Sequence, residues 1–444
     1  MSAAKQFIVG IIAAMGALCL GTVIGWSGPV EEEIKSGQAF DFVPDTTEWG
    51  LVGSLMTLGA ACSCIPVGVL IGKIGRKVTM LCLLPPFVIG WALIILAAHI
   101  AMLLVGRFIV GFCGGAFCVA SPMYTTEVAE VKYRGIMGCF FQLLIVHGIL
   151  YSFVVGAFVN TLCLGIACTI WPIIYFLLFM WMPESPVYLA QKGKTERAEK
   201  ALKFLRGKDA DVGGELKDMA AEGQKEQASI GKTLCRKVTL KGLFLSITLM
   251  IFQQFTGINA IVFYTTFIFM SAGSSLEPRF STIVVGIVMA VSTVISIFLI
   301  ERLGRKILLL ISALMMGIST LIMSLYFGLL LDSDVGWLAL MAICIFIIGF
   351  SVGFGPVPWV MMAELFAEDV KAIAGSIAGT TNWLAAFVVT LLFPVLNEQI
   401  GATACFGIFF GFAVAAFLFV LFLIPETKGR TINEIQAKLG EKKE

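Results

Sequence analysis

The chain has 444 residues, 59% of them hydrophobic and 14% charged, with a mean hydropathy of +0.96 and a formal net charge of +2. A soluble globular chain is nearer a quarter charged, so a soluble domain is excluded, and so even a charge balance gives no reason to expect a nucleic-acid partner. The apolar residues fall instead in blocks of about 20, the length that crosses a bilayer as a helix.

Twelve such blocks follow one another, near 6–27, 49–71, 78–98, 101–124, 136–158, 161–182, 240–270, 281–301, 306–330, 335–363, 375–396 and 402–424. The expected class is an all-α membrane protein with twelve transmembrane helices in a lipid bilayer. Only Lys5 precedes the first block as a charge, and no small-residue cleavage site follows, so it reads as a retained span and not a signal peptide. The loop at 28–48 holds Glu31, Glu32, Glu33, Asp41, Asp45 and Glu48 against Lys35. Alternate loops hold Lys73, Arg76 and Lys77, then Lys132 and Arg134, a basic stretch from Lys192 to Lys241, and Arg302, Arg305 and Lys306. The positive-inside rule makes those loops cytosolic and, with an even number of spans, both termini cytosolic, in a cell membrane. Cys62, Cys64, Cys113, Cys118 and Cys344 lie inside spans, where they act as small apolar fillers. None of the five asparagines opens a glycosylation sequon.

The sequence repeats weakly. "GKIGRK" (Gly72–Lys77) follows the second block and "ERLGRK" (Glu301–Lys306) the eighth. "PMYTTEVAEVKYRG" ends the fourth and "PWVMMAELFAEDVKAIAG" the tenth, while "PESP" closes the sixth and "PETKGR" the twelfth. Three pairs in one order imply two pseudo-symmetric six-helix bundles. Their expected bounds are 1–189 and 239–428, with a linker at 190–238 and a tail at 429–444. In the linker, "TERAEKALKFLRG" reads as a short cytosolic helix, with Thr195 as its cap, Gly207 as its stop and Ala198, Ala201, Leu202 and Leu205 as its apolar stripe.

Polar groups at membrane depth carry the functional signal. Arg107 lies inside the fourth block with no acidic partner in the sequence, which leaves carbonyls or water to satisfy it. Gln142 lies in the fifth block, and His147 points about 140° away from it and reads as packing. "QQFTGINAIVFY" (Gln253–Tyr264) is the densest polar stretch in any block. On a straight helix Gln253, Gly257 and Tyr264 share a face and Asn259 points about 120° away, but unwinding at Gly257 would swing Asn259 toward the glutamines. Irregular backbone at this depth is tolerated only beside protein or a water-filled cavity, so the stretch reads either as one wall of a polar cavity or as amides bonding neighbouring helices. Pro356 and Pro358 break the tenth block beside Trp359, as at a gate or a hinge, and Asn382-Trp383 lies in the eleventh. Amides with indoles, and no charge among them, suit a neutral solute rich in hydroxyls.

No Asp or Glu falls in the middle of a block, which favours downhill over proton-coupled transport. The charges gather at block ends: Arg76, Glu127, Arg134 and Glu184 mirror Arg305, Glu364, Lys371 and Glu426. They read as a latch between the bundles or as interfacial anchors. Two small-xxx-small pairs, Gly68/Gly72 and Gly111/Gly115, invite close helix packing. Gly349–Gly353 fits G-x-S-x-G but lies within a block, and "GKT" at 193–195 and 231–233 lacks the earlier P-loop glycine. No metal spacing is present, so neither enzyme, metal nor cofactor is expected.

"GRK" after the second and eighth blocks, "PMYTTE", "PESP", "QQFTGIN", "GPVPW" and "PETKGR", in this order, resemble the sugar-porter family of the major facilitator superfamily. "FQQFTGINAIVFY" and "GFSVGFGPVPWVMMAE" are most similar to arthropod facilitated trehalose and hexose transporters. The resemblance implies the major facilitator fold and alternating access. It implies sugar contacts at Gln142, Gln253, Gln254, Asn259, Trp359 and Asn382, and an outer gate at Tyr264. It also implies a latch at Arg76, Glu127, Arg134, Glu184, Glu301, Arg302, Arg305, Glu364 and Glu426, with Lys371 standing where an arginine is usual. Gly72-Lys73 replaces the family's Asp-Arg, and Met289 replaces a sugar-binding Asn in many members. The expected partners are a small neutral sugar and lipid, and the unit is expected to work as a monomer. A proton-coupled sugar or polyol symporter and a non-transporting sugar sensor are the alternatives.

Overall fold

A computed structural model of the chain describes residues 2–207, 210–217, 219, 236–366, 368–430 and 432–440. Eleven helical runs among them are long and apolar enough to cross a membrane. The last, Ile373–Leu423, is two spans joined at Gly401, whose φ of 80° no other residue type adopts easily. The twelve expected spans are therefore present.

Several spans are broken. Span one is α1 (Ser2–Gly25) followed by α2 (Ser27–Lys35). The loop expected from residue 28 is thus helical through Lys35, and Glu31 belongs to the end of a span. Span two is α3 (Thr46–Ile74), started by a capping box in which Asp45 Oδ1 accepts from the Glu48 amide at 2.7 Å and Glu48 Oε2 from the Asp45 amide at 3.0 Å. Span three is α4 (Arg76–Cys82) and α5 (Leu84–Ile95). Spans four to six are α6 (Ile100–Val128), α7 (Arg134–Gly156) and α8 (Thr161–Phe179). The linker supplies α9 (Pro186–Gln191) and α10 (Thr195–Arg206), where Ala198, Ala201, Leu202 and Leu205 are buried as expected. Linker residues 208–209, 218 and 220–235 lie outside the described residues.

Span seven comes in three pieces, α11 (Lys237–Phe255), α12 (Ile258–Phe263) and α13 (Thr265–Ser271). Spans eight and nine are α14 (Pro278–Leu303) and α15 (Arg305–Leu325). Span ten is α16 (Trp337–Val352) and α17 (Val357–Leu365), and α18 (Glu368–Leu423) holds spans eleven and twelve.

Close approach within the first half uses one of the two expected glycine pairs. A Cβ at Gly111 would lie 2.0 Å from Met56 O and one at Gly115 2.4 Å from Ala60 Cα, so α3 and α6 touch backbone to backbone. In the Gly68/Gly72 pair a Cβ at Gly68 would meet only the Ser376 Oγ at 3.4 Å and one at Gly72 nothing within 4 Å, so that pair brings no backbones together. The halves meet where α3 packs on span eleven and α7 on α14. At the end bearing the acidic residues they close tightly: a Cβ at Gly53 would lie 2.7 Å from Tyr264 Oη, and one at Gly50 2.9 Å from Leu391 O. At the linker end Arg134, Gly135, Ile136 and Gly138, all at the start of α7, are exposed.

Candidate functional site

The centre of the molecule is an amide chain built on two backbone breaks. The first is at Gly257, with φ 102°, which ends α11 after Gln253 and Gln254 and restarts the helix at Ile258. The turn brings Asn259 back over the glutamines, as unwinding there would: Asn259 Nδ2 donates to Gln254 Oε1 at 2.6 Å. The second break, Gly353–Pro356, includes Pro356, and Pro358 lies just past it at the start of α17. Prolines 356 and 358 have no N–H for the carbonyls four residues earlier, those of Val352 and Phe354. Side chains from other spans cover both. Gln253 Nε2 donates to Phe354 O at 2.6 Å and to Gly355 O at 2.9 Å, and Ser296 Oγ reaches Val352 O at 3.5 Å.

Asn382 on span eleven closes the chain. Its Nδ2 donates to Gln253 Oε1 at 2.6 Å, and its Oδ1 accepts from Gln254 Nε2 at 3.1 Å. Gln253, Gln254 and Asn382 are buried, at 3%, 5% and 3% exposure, and spend their amides on one another and on span ten. An unpartnered amide in an apolar medium costs roughly 2–7 kcal/mol, so this mutual satisfaction is what permits polar groups at this depth. Asn259 is half-buried and ends the chain; among the described residues its Oδ1 receives no hydrogen bond. The helix-bonding use of the amides is thus realised by three residues, and the free edge that a cavity wall needs is at the fourth.

The aromatic groups surround this chain. Half-buried Trp359 lies against span eleven, its Cζ3 3.8 Å from where a Cβ on Gly379 would be. Tyr264 is at the joint between α12 and α13, stacked on Phe393 at 5.5 Å, and donates to Thr390 O at 2.7 Å. Together with its contact to Gly53 in the first half, this places it at the closed end. Gln142 is half-buried on α7, and among the described residues nothing joins it to the amide chain. Met289 is buried on α14. His147 is exposed on α7, its Nδ1 2.7 Å from Leu143 O.

Two more polar atoms lie beside Asn382, one on Trp383, which the sequence already joins to Asn382, and one on Thr380, which went unassigned. Among the described residues, Thr380 Oγ1 and Trp383 Nε1 are buried with no hydrogen-bond partner. The run Thr380–Trp383, four hydrogen-bonding side chains in an apolar helix, is the signal that pointed to them.

The charge clusters at the linker end repeat one pattern twice. Arg76 Nη2 donates to Glu127 Oε1 at 2.7 Å while Glu184 accepts from the Arg76 and Lys77 amides at 3.1 and 3.0 Å. Arg305 Nη2 donates to Glu364 Oε1 at 2.8 Å while Glu426 accepts from the Arg305 and Lys306 amides at 3.0 and 3.1 Å. Ser185 bonds Glu127, and Thr427 bonds Glu364 at 2.6 Å. Every one of these bonds stays inside one half. They staple spans three, four and six, or spans nine, ten and twelve, and in this state do not cross between bundles. Arg134 and Arg302 are exposed, and Lys371 is half-buried. The side chain of Glu301 lies outside the described residues.

Twelve spans in two six-helix halves, broken in spans one, seven and ten around a buried polar centre, define a transporter of the major facilitator fold. The proton:xylose symporter XylE bound to 6-bromo-6-deoxy-D-glucose matches it with a TM-score of 0.82 at 23% identity, over 99% of this chain and 100% of that one. The inward-open conformation of the E. coli xylose transporter XylE gives 0.82 at 24%, over 98% and 99%. The sequence profile described as "Sugar (and other) transporter" matches residues 9–439, and the chain belongs to that family. The facilitated trehalose transporter Tret1 of Apis mellifera ligustica is 38% identical, over 98% of this chain and 88% of the relative. The facilitated trehalose transporter Tret1-2 homolog of Drosophila simulans is 37% identical, over 98% and 91%.

Proposed function

We propose that the chain is a facilitative carrier moving a neutral sugar, a hexose or trehalose, down its gradient across a cell membrane, with the acidic end outside and both termini in the cytosol. The observation that carries this is the amide chain with one free edge. A hydroxyl taken by Asn259, with Thr380 and Trp383 as further partners, would be linked through Gln254, Asn382 and Gln253 to the break in span ten. Binding would thus bear on a joint in the fold, as alternating access requires. Names of close relatives support the downhill mode and the substrate class. So does the chemistry of the centre, where neutral amides and an indole meet and, among the described residues, no carboxylate joins them. Helix α2 brings Glu31 into the first span, but at its end and paired to Lys35 at 2.7 Å.

In this reading Trp359 and Gln142 complete the sugar site when the halves close on it. Tyr264, Pro356 and Pro358 serve the gate. Each charge cluster keeps its own bundle rigid as it rocks, and a latch between bundles involving Arg134 and Lys371 forms only in the outward-facing state. Labelled glucose and trehalose uptake into proteoliposomes tests the proposal. Saturable uptake that Asn259→Ala and Gln254→Ala reduce at least tenfold in kcat/KM supports it. Uptake unchanged in both variants removes the site, and sugar-driven alkalinisation outside the vesicles would replace uniport with proton symport.

A further inference from the structure

The closed end of the molecule holds a contact between bundles that the charge clusters at the other end do not provide. Lys35, near the end of α2 in the first half, points its Nζ at the ring of Phe267 on α13 in the second half, 5.1 Å from the centroid. The same ammonium lies 5.8 Å from the ring of Trp49 on α3. Its position is set from one turn away: Glu31 Oε1 accepts from Lys35 Nζ at 2.7 Å, and the Glu31 side chain is only 5% exposed against 32% for Lys35. Spacing of four residues, acid first, is the favourable orientation on a helix. Trp49 is 1% exposed, so Lys35 has one wall of fixed indole and one of phenyl ring from the opposite bundle.

We infer that Lys35 is the outer clamp of the carrier, a cation shared between Trp49 of one bundle and Phe267 of the other, with Glu31 as its positioning residue. The contact exists only while the acidic end is closed, because α2 and α13 belong to bundles that part when that end opens. It favours the state with the solute path sealed outside, and it sets the balance between the two facing states of the cycle. A clamp of this kind is weak enough to break at each turnover: a partly exposed cation–π contact shifts such an equilibrium by a few-fold. The proposal uses the transport reading for its cycle but not for its test, since the readout needs no sugar.

Thr266, buried at the same seam with its Oγ1 3.7 Å from where a Cβ on Gly28 would be, reports opening if replaced by cysteine. Thr266→Cys is made in a Cys163→Ser background, because Cys163 is exposed near this end. Its labelling by an impermeant maleimide added outside sealed cells is then timed, with surface expression measured for each variant. Lys35→Met and Phe267→Leu are each expected to speed labelling about threefold, and together no more than either alone, with Lys35→Arg near the parent rate. Glu31→Gln is expected to fall between. Unchanged labelling in both Lys35→Met and Phe267→Leu overturns the clamp. So does Lys35→Arg behaving as Lys35→Met, or a double variant whose effects multiply. Should Lys35→Met fail to reach the surface, Phe267→Leu against Phe267→Tyr decides on the same readout, with only the tyrosine expected to keep the parent rate.

Discussion

Both halves of the carrier contain a break that exposes backbone carbonyls inside the membrane, and they cover those carbonyls with different chemistry. In the first half the break at Trp26 leaves Val23 O without its helical partner. Arg107 takes it at 2.8 Å, together with Val52 O at 2.9 Å and Ser27 Oγ at 2.9 Å, with the guanidinium 5.1 Å from the Trp26 ring. In the second half the break before α17 leaves Phe354 O and Gly355 O, and the neutral amide of Gln253 takes both. The arginine is fully buried, and its bonds end on the three helices it ties. The glutamine passes its polarity on through Asn382 and Gln254 to half-buried Asn259. One knot therefore ends on backbone and a buried hydroxyl, and the other ends on a half-buried amide, the edge proposed above for the solute.

The largest effect that separates these roles is on folding. Arg107→Met removes the cost of burying a charge but gives up three charge-assisted bonds and leaves Val23 O and the Ser27 hydroxyl unpartnered, each costing about 1–3 kcal/mol, while Val52 O keeps its helical partner in α3. We expect a loss of about 3 kcal/mol or more, seen as a fall in folded yield and in Tm in detergent, together with lost transport. Gln253→Leu orphans Phe354 O and Gly355 O but gives up only neutral hydrogen bonds, and should cost about 2–3 kcal/mol, leaving folded protein whose transport is lost. A Gln253→Leu variant less stable than Arg107→Met would remove the distinction between the two knots.

The sequence shows part of this contrast and hides part. Twelve spans are legible because each needs about 20 apolar residues in a row, and the repeat is legible because paired motifs keep their order. The turn at Gly257 is legible because only glycine accepts that φ cheaply. The partners of Arg107 are not, since a carbonyl belongs to every residue and carries no letter in the sequence. Helix α2 was hidden for a related reason: Glu31, Glu32 and Glu33 read as a loop on polarity, although Glu31 is buried against Lys35 and Trp49. Gly68/Gly72 and Gly111/Gly115 share one spacing, yet only the second pair faces another helix closely, because spacing fixes a face and not what lies opposite. Charges at span ends are visible, but whether they pair within a bundle or across bundles depends on which bundle ends are together in a given state.

A smaller effect sharpens the comparison through proline. Pro358 and Pro122 lie within one residue of corresponding places in the repeat, but α6 runs unbroken through Pro122 whereas span ten is broken just before Pro358. Pro358→Ala supplies an N–H that competes with Gln253 for Phe354 O and lets span ten straighten. Stability should hold or rise slightly, while maximal uptake falls about tenfold as the joint stiffens. Pro122→Ala should leave uptake within about twofold of the parent. Equal effects of the two substitutions on maximal uptake would show that the break in span ten is not part of the cycle.

The smallest expected effect lies at the linker end, where the halves are most alike. Burial by itself would raise the Glu426 carboxyl, but backbone N–H donors from Lys428, Arg305, Lys306 and Thr427 outweigh it and hold the group below the usual carboxylate range. A folded value below the unfolded one means that Glu426 stabilises the second half above about pH 4.3 and that this contribution is lost as pH falls through the folded value. The group is part exposed, so the effect is small. The Tm difference between the parent and Glu426→Gln should be largest near neutrality and shrink as pH falls below about 4.3. The local bonds explain why: a protonated carboxyl accepts the Arg305 and Lys306 amides hardly better than a glutamine does. A difference that stays constant down to the acid limit would mean that Glu426 acts through shape alone, and the repeated carboxylate at this end would be a packing device instead of an electrostatic one.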